Sequence, residues 1–255
     1  MPADNELNGR LALITGASGG IGGACARKLV SYGCDLALTY SSNKQSVDDL
    51  VIQLRKDYDC GILRITTHQC DLSDATATLS LCNDVRRVHS KPVSILISNA
   101  GRGKRYPQIW DIPVDEFDLT IATNLRASFL LVKGTVEDMK AQHWGRIVFI
   151  SSIAAYGAGV NGAHYAASKG GQVGMMKNLS TRLAEFGITV NDVAPAMIGD
   201  TGMIPTADTI PGIVDTIPVG RLGAPDEVAN AVEMFCKTGY CTGQSVVVAG
   251  GLNHK

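Results

Sequence analysis

Leu11-Ala12-Leu13-Ile14-Thr15-Gly16-Ala17-Ser18-Gly19-Gly20-Ile21-Gly22 reads as a buried strand, a tight turn and the first turn of a helix. The four apolar residues suit a strand covered on both faces. The helix that follows carries apolar Ala24, Leu29 and Val30. Between them, glycines at 16, 20 and 22 let backbone amides approach a pyrophosphate at a helix N-terminus. A strand before and a helix after are the context that turns a glycine motif into a dinucleotide-binding expectation.

Outward from this stretch, short apolar runs alternate with amphipathic ones. Candidate strands lie at 11–15, 35–40, 62–67, 93–97, 146–151, 188–193 and 245–249, and helices near 21–32, 44–58, 74–89, 114–140, 164–186 and 225–237. Pro225, Asp226 and Glu227 suit the first turn of the last helix. The alternation predicts an α/β chain with a doubly wound parallel sheet, a Rossmann fold with helices on both faces. No composition shift or repeat divides it, so residues 1–255 are read as a single domain. Pro and Gly cluster at 195–223, where a segment at about 196–217 is expected to lie over a ligand site.

The chain has 255 residues, 28 of them Gly, and a formal net charge of −1. That balance predicts neither nucleic acid nor an anionic membrane as partner. The polar, acidic N-terminus resembles no targeting peptide, no apolar run is long enough to span a bilayer, and Asn253-His254-Lys255 matches no sorting signal. Seven cysteines, including Cys60, form no C-x-x-C pair, which points to free thiols in a reducing, cytoplasmic setting. The five histidines show no metal-ligand spacing, and no metal is expected.

Tyr-x-x-x-Lys occurs twice. Tyr40 and Lys44 straddle a strand end and a turn, so their side chains need not meet. Tyr165 and Lys169 fall in a helical stretch, where residues four apart share a face, and Ser152 closes the strand before them. Serine and tyrosine hydroxyls beside an ammonium suit proton transfer to a carbonyl oxygen. The ammonium would pull the phenol below its usual value near 10, and Ser152 would hold the oxygen where charge develops. The second strand ends in Tyr40-Ser41-Ser42-Asn43-Lys44, hydroxyls, an amide and a cation with no carboxylate. Asp35 stands at the far end of that strand. This favours NADPH, whose 2′-phosphate a carboxylate would repel, over NADH.

The G-x-x-x-G-x-G spacing and the Ser, Tyr and Lys set resemble the short-chain dehydrogenase/reductase family, and the resemblance runs from Leu11 to Gly251. Further matching elements are Asp71-Leu72, Ser98-Asn99-Ala100-Gly101, Asn124, Asn191 with Pro195, and Thr242-Gly243-Gln244 to Gly250-Gly251. The resemblance implies catalytic roles for Asn124, Ser152, Tyr165 and Lys169, with Asn124 holding a water that relays protons to Lys169. It implies cofactor contacts by Gly16, Ser18, Gly20, Ile21, Gly22, Tyr40, Ser41, Ser42, Asn43, Asp71, Leu72, Asn99, Ala100, Gly101, Tyr165, Lys169, Pro195, Ile198 and Thr201. In the last segment the usual Pro-Gly is Pro195-Ala196, and Gly199 reads as a one-residue insertion.

Within the family the pattern is nearest to 3-oxoacyl-[acyl-carrier-protein] reductases. Two arginines that such enzymes present to an acidic carrier correspond to His143 and Phe186 here, which favours a free ketone, or a thioester without its carrier, as substrate. The expected wall, 102–110, 153–164 and 196–217, is apolar through Trp110, Tyr156, Met197, Met203 and Ile204, with no charge to recognise a carboxylate. Tyr156 either lines that wall or lies off it. His164 is a pocket-rim residue or a substrate contact, and Arg102, Lys104 and Arg105 form a solvated loop or an anion site. Relatives form homotetramers of two-fold symmetry through helices like 114–140 and 164–186, although the same apolar faces could pack inside one subunit. A reading of another class is a non-catalytic NADPH-sensing or structural subunit.

Overall fold

A computed structural model describes residues 4–252 apart from 59, 60, 62 and 158. Cys60, Asn253, His254 and Lys255, and part of the strand expected at 62–67, therefore lie outside the described residues. Seven parallel strands form one sheet: β1 (Leu11–Ile14), β2 (Asp35–Tyr40), β3 (Ile65–Gln69), β4 (Ile95–Ser98), β5 (Gly145–Ile150), β6 (Ile188–Pro195) and β7 (Ser245–Val248). Their spatial order is β3-β2-β1-β4-β5-β6-β7. The direction of winding reverses between β1 and β4, and a crevice opens there at the carboxyl edge.

The helices are α1 (Gly20–Ser31), α2 (Lys44–Asp57), α3 (Ala75–His89), α4 (Val114–Ile121), α5 (Ala127–Gln142), α6 (Ala163–Leu183) and α7 (Pro225–Lys237). They cover both faces of the sheet, as parallel strands require. On one face Leu29 and Val30 of α1, Leu50 and Leu54 of α2, and Val232 and Phe235 of α7 pack on Ala12, Ile14, Leu36 and Leu38. On the other, Leu81 and Val85 of α3, Leu131 and Met139 of α5, and Met176 and Leu183 of α6 pack on Leu11, Leu13, Ile147 and Phe149.

The expected boundaries of β2 and α7 match the observed ones. The helix expected over 114–140 instead divides: α4 ends at Ile121, a π turn follows at Ala122–Arg126, and α5 resumes at Ala127. A single extra residue per turn leaves the apolar pattern almost unchanged, so periodicity does not reveal it. Such turns frequently mark functional sites, and this one carries Asn124.

Candidate active site

The loop after β1 is held from below by side chains that the sequence places far away. Thr15 Oγ1 accepts from the amides of Asn99 and Ala100, both at 3.0 Å. Asn99 Nδ2 donates to Thr15 O at 2.8 Å and to Gly16 O at 3.2 Å. This stitching joins the turns after β1 and β4, the two sides of the crevice. Gly16 has φ +64°, and a Cβ there would meet Ala100 Cα at 3.0 Å. The other glycines are constrained by the protein itself. A Cβ on Gly22 would come within 2.4 Å of Gly16 O, and one on Gly20 within 2.1 Å of Asp200 O. Gly19 caps α1 without a side-chain hydrogen bond, so its first-turn amides open toward the crevice.

The crevice is a cleft of about 970 Å³. Of the residues expected to touch a cofactor, Gly16, Ser18, Gly20, Ile21, Tyr40, Ser41, Asp71, Leu72, Asn99, Ala100, Gly101, Tyr165, Lys169, Pro195, Ile198 and Thr201 line it, and Ser152 joins them. Gly22, Ser42, Asn43 and Asn124 do not. Asn43 spends its side chain as the N-cap of α2, accepting from Ser46 N at 3.0 Å. Lys44, the cation expected near a 2′-phosphate, pairs with Asp48 and faces solvent. Asp71 accepts from the amide and hydroxyl of Ser73, which holds its carboxyl below the usual range.

Tyr165 and Lys169 lie one turn apart on α6, both buried against the end of β5. The Lys169 amine is 5.7 Å from the Tyr165 ring centroid and donates to Ile150 O at 2.8 Å. Burial lowers the Lys169 amine to about 8. The Tyr165 phenol runs against the expectation of an acidified tyrosine. Burial pushes it up to about 12, and the nearby Ser152 hydroxyl opposes that rise only in part. Desolvation, a bulk property of the packed site, outweighs any pull from the amine 5.7 Å from the ring centroid. At neutral pH the group is therefore a neutral phenol, a proton donor.

Asn124 is fully buried, and its side chain is committed: Oδ1 accepts from Arg102 N at 2.7 Å, while Nδ2 donates to Arg102 O at 3.0 Å and Ser168 Oγ at 2.9 Å. A Cβ on Gly101 would meet Lys169 Nζ at 3.4 Å and Asn124 Oδ1 at 3.5 Å, so the three converge. Asn124 braces the back of the site from the π turn.

The segment 196–217 lies over the cleft, contributing Met197, Met203, Ile204, Ile210 and Ile213. Met197 and Asp200 adopt φ near +50°, where non-glycine residues are uncommon. Four expectations for the wall need correction. Trp110 is 77% exposed and off the cleft. Tyr156 points away from it and donates to Asp192 Oδ2 at 3.1 Å. His164 is fully buried, with Nε2 3.1 Å from Lys104 O, and is no rim residue. Nor is the wall without charge, since Arg105 lines it. The neighbouring cations are occupied: Arg102 makes a two-pronged pair with buried Glu116 at 2.6 and 2.7 Å, and Lys104 lies 5.1 Å from the Tyr106 ring centroid. Sequence reading also missed Thr123 in the lining, while Asn161 falls within the expected 153–164 wall. No motif marks Thr123, because it reaches the cleft only through the π turn that carries it.

His143 and Phe186 sit beyond α5 and α6, beside the starts of β5 and β6. From Tyr165 to Phe186 is the length of α6, roughly 30 Å. Within one subunit neither position adjoins the cleft, so their lack of arginine says little about what enters it.

The chain matches the short chain dehydrogenase family over residues 10–209. It is 35% identical over 250 residues to the 3-oxoacyl-[acyl-carrier-protein] reductase of Rickettsia bellii, covering 97% of this chain and 98% of that one. It is 34% identical over 260 residues to dehydrogenase/reductase SDR family member 4 of Bos taurus, covering all of this chain and 91% of that one. Among solved structures it resembles a blue fluorescent protein from a metagenomic library in complex with NADPH, with TM-score 0.86, 32% identity, and coverage of 96% of this chain and 98% of that one. Levodione reductase superposes with TM-score 0.88 at 24% identity over 96% and 97% of the two chains, a likeness of fold. With a glycine turn at the reversal of the sheet and Ser152 beside a buried Tyr and Lys pair on the same cleft, the chain belongs to the short-chain dehydrogenase family of oxidoreductases.

Proposed function

We propose that the protein reduces a ketone to a secondary alcohol with NADPH, Tyr165 delivering the proton to the carbonyl oxygen. The observation that carries this reading is the buried Tyr165 phenol beside Ser152 on a cleft that begins at the glycine turn. A phenol placed at the substrate oxygen can supply the proton that reduction needs.

The residues present fit NADPH. Gly16 and Gly20 line the cleft with backbone alone, and the open amides of α1 suit its pyrophosphate. Tyr40 and Ser41 would border the adenosine ribose, and no carboxylate ends β2 to repel a 2′-phosphate. Asp71 and Leu72 would border the adenine, Asn99 to Gly101 the central portion, and Pro195 to Thr201 the nicotinamide. Ser42, Asn43 and Gly22 act through the fold and not by lining the cleft. When bound, NADPH supplies the hydride. Ser152 then holds the carbonyl oxygen, Tyr165 donates its proton, and the Lys169 ammonium stabilises the phenolate left behind.

A second reading, reduction of a 3-oxoacyl thioester on a carrier protein or coenzyme A, is favoured by the similarity to the Rickettsia reductase. Both readings are tested by following NADPH consumption with free ketones, 3-oxoacyl thioesters of a short thiol, and the same acyl group on a carrier. Turnover of free ketones supports the first; turnover only on the carrier replaces it with the second. No consumption with any substrate, despite NADPH binding, supports a sensing or structural role.

Exposed apolar residues on α4 and α5, Val114, Phe117 and Phe129, support a homotetramer built on these helices. A mass in solution of one subunit would exclude it. No helix among the described residues is long and apolar enough to cross a membrane. A single domain working in the cytoplasm is consistent with the free described cysteines.

A further inference from the structure

Asp192 is a carboxylate where the fold asks for an apolar residue. It lies in β6, fully buried, between Phe149 of β5 and Ser245 of β7 in the parallel register. Side chains alternate along a strand, so Asp192 shares the face of Ile188 and Val190, which pack in the same core as Met176 and Leu183 of α6. The helix runs back along that face. Leu183 lies toward Ile188 at the amino edge, and Lys169, seven residues before Met176 and on its side of the helix, falls at the carboxyl edge over Asp192. Lys169 Nζ is anchored there on Ile150 O, whose residue pairs with Val193.

A carboxylate in such a place costs several kcal/mol unless a charge and hydrogen bonds compensate it. The hydrogen bonds are incomplete. Tyr156 donates to Oδ2 at 3.1 Å, but Asp192 Oδ1 and the flanking Ser151 and Ser245 hydroxyls are buried without well-formed partners. The charge is Lys169. Among the described residues it is the one charged group acting on Asp192, through space and without a direct ion pair, against a burial that pushes the carboxyl up; Asp192 is the one charge acting on Lys169. The other groups facing the pair are neutral: Tyr165 on α6, Asn124 on the π turn, Tyr156 after β5, and the two serines.

We propose that Asp192 is the buried counter-ion of Lys169, a positioning residue that keeps the amine protonated behind Tyr165 so that it can stabilise the phenolate formed during reduction. The inference rests on the functional reading above. It also explains why a β-sheet position tolerates the cost of burying a charge: the carboxylate opposes the desolvation that draws the lysine toward neutrality. Asp192 touches neither the cleft nor the reacting atoms.

Asp192→Asn tests this. The amide still accepts from Tyr156, so a merely structural anchor survives, and only the charge is lost. The limb of the pH–kcat profile set by Lys169 is expected to move down by about one pH unit, with the best ketone from the panel as substrate. The 13Cε resonance of labelled Lys169, identified by its loss in Lys169→Arg, should titrate lower by a similar amount. An unmoved limb and an unmoved resonance overturn the proposal. If the variant does not fold, the wild-type protein decides. Its Lys169 resonance must show a second, smaller inflection where the Asp192 carboxyl carbon titrates, and a single-step curve overturns the pairing. Because the resonance is read without turnover, failure here is separable from failure of the ketone reductase reading, which Tyr165→Phe tests.

Discussion

The two Tyr-x-x-x-Lys pairs have the same spacing and opposite surroundings. Tyr40 ends β2 and Lys44 begins α2, so the chain turns between them, and Lys44 reaches forward along its own helix to Asp48 in solvent. Tyr165 and Lys169 share one face of α6, pressed against the end of β5, and both are almost completely buried. In the first pair Tyr40 is as buried as Tyr165, but Lys44 reaches into water, where it is a surface charge. The second pair is stripped of water, which raises the phenol to about 12 and lowers the amine to about 8. Spacing selects which residues can meet; desolvation decides what they can do.

This contrast can be broken or sharpened by experiment. The largest effect is expected from Tyr165→Phe, which removes the proton donor and leaves the ring in place. Turnover should fall by about a thousandfold, while NADPH affinity by fluorescence titration changes little; surviving turnover would remove the buried pair's chemistry. Gly22→Ala tests whether the glycine turn is held by its own packing. Its Cβ would meet Gly16 O at 2.4 Å, so denaturant unfolding should show a loss of about 2 kcal/mol. Wild-type stability would mean that the turn yields. Ser41→Asp places a carboxylate beside Tyr40 and should shift the kcat/KM ratio of NADPH to NADH by about tenfold toward NADH. An unchanged ratio would show that the end of β2 does not read the 2′-phosphate. The smallest effect belongs to the solvated Lys44. Lys44→Gln should alter kcat/KM with NADPH by less than about twofold, and a large loss would mean that Lys44 leaves Asp48 for the cofactor.

The legibility of the molecule follows the range of the forces involved. β2 and α7 could be placed to the residue because their signals are local: an apolar run in one, and Pro225 with Asp226 and Glu227 in the other. The glycine turn was equally plain, although Gly20 and Gly22 prove to be limited by Asp200 O and Gly16 O and not only by a ligand. What sequence could not show depends on contacts between distant segments. Tyr156 turns toward Asp192, 36 residues on, and His164 toward Lys104, 60 residues back, so neither forms the wall. Arg105 reaches the cleft while Trp110, five residues later, faces out. The phenol's direction was misjudged for the same reason: the amine four residues away is visible in the sequence, and the packing that excludes water is not.

The account rests on a Tyr165 that keeps its proton because it is buried. The direct measurement is an NMR titration of protein labelled at the tyrosine 13Cζ, with the Tyr165 signal identified in Tyr165→Phe. Its phenol should remain protonated beyond the range of the exposed tyrosines and titrate at about 12. A transition near neutral pH would show an acidified phenol instead, and would contradict the claim that desolvation sets the chemistry of this site.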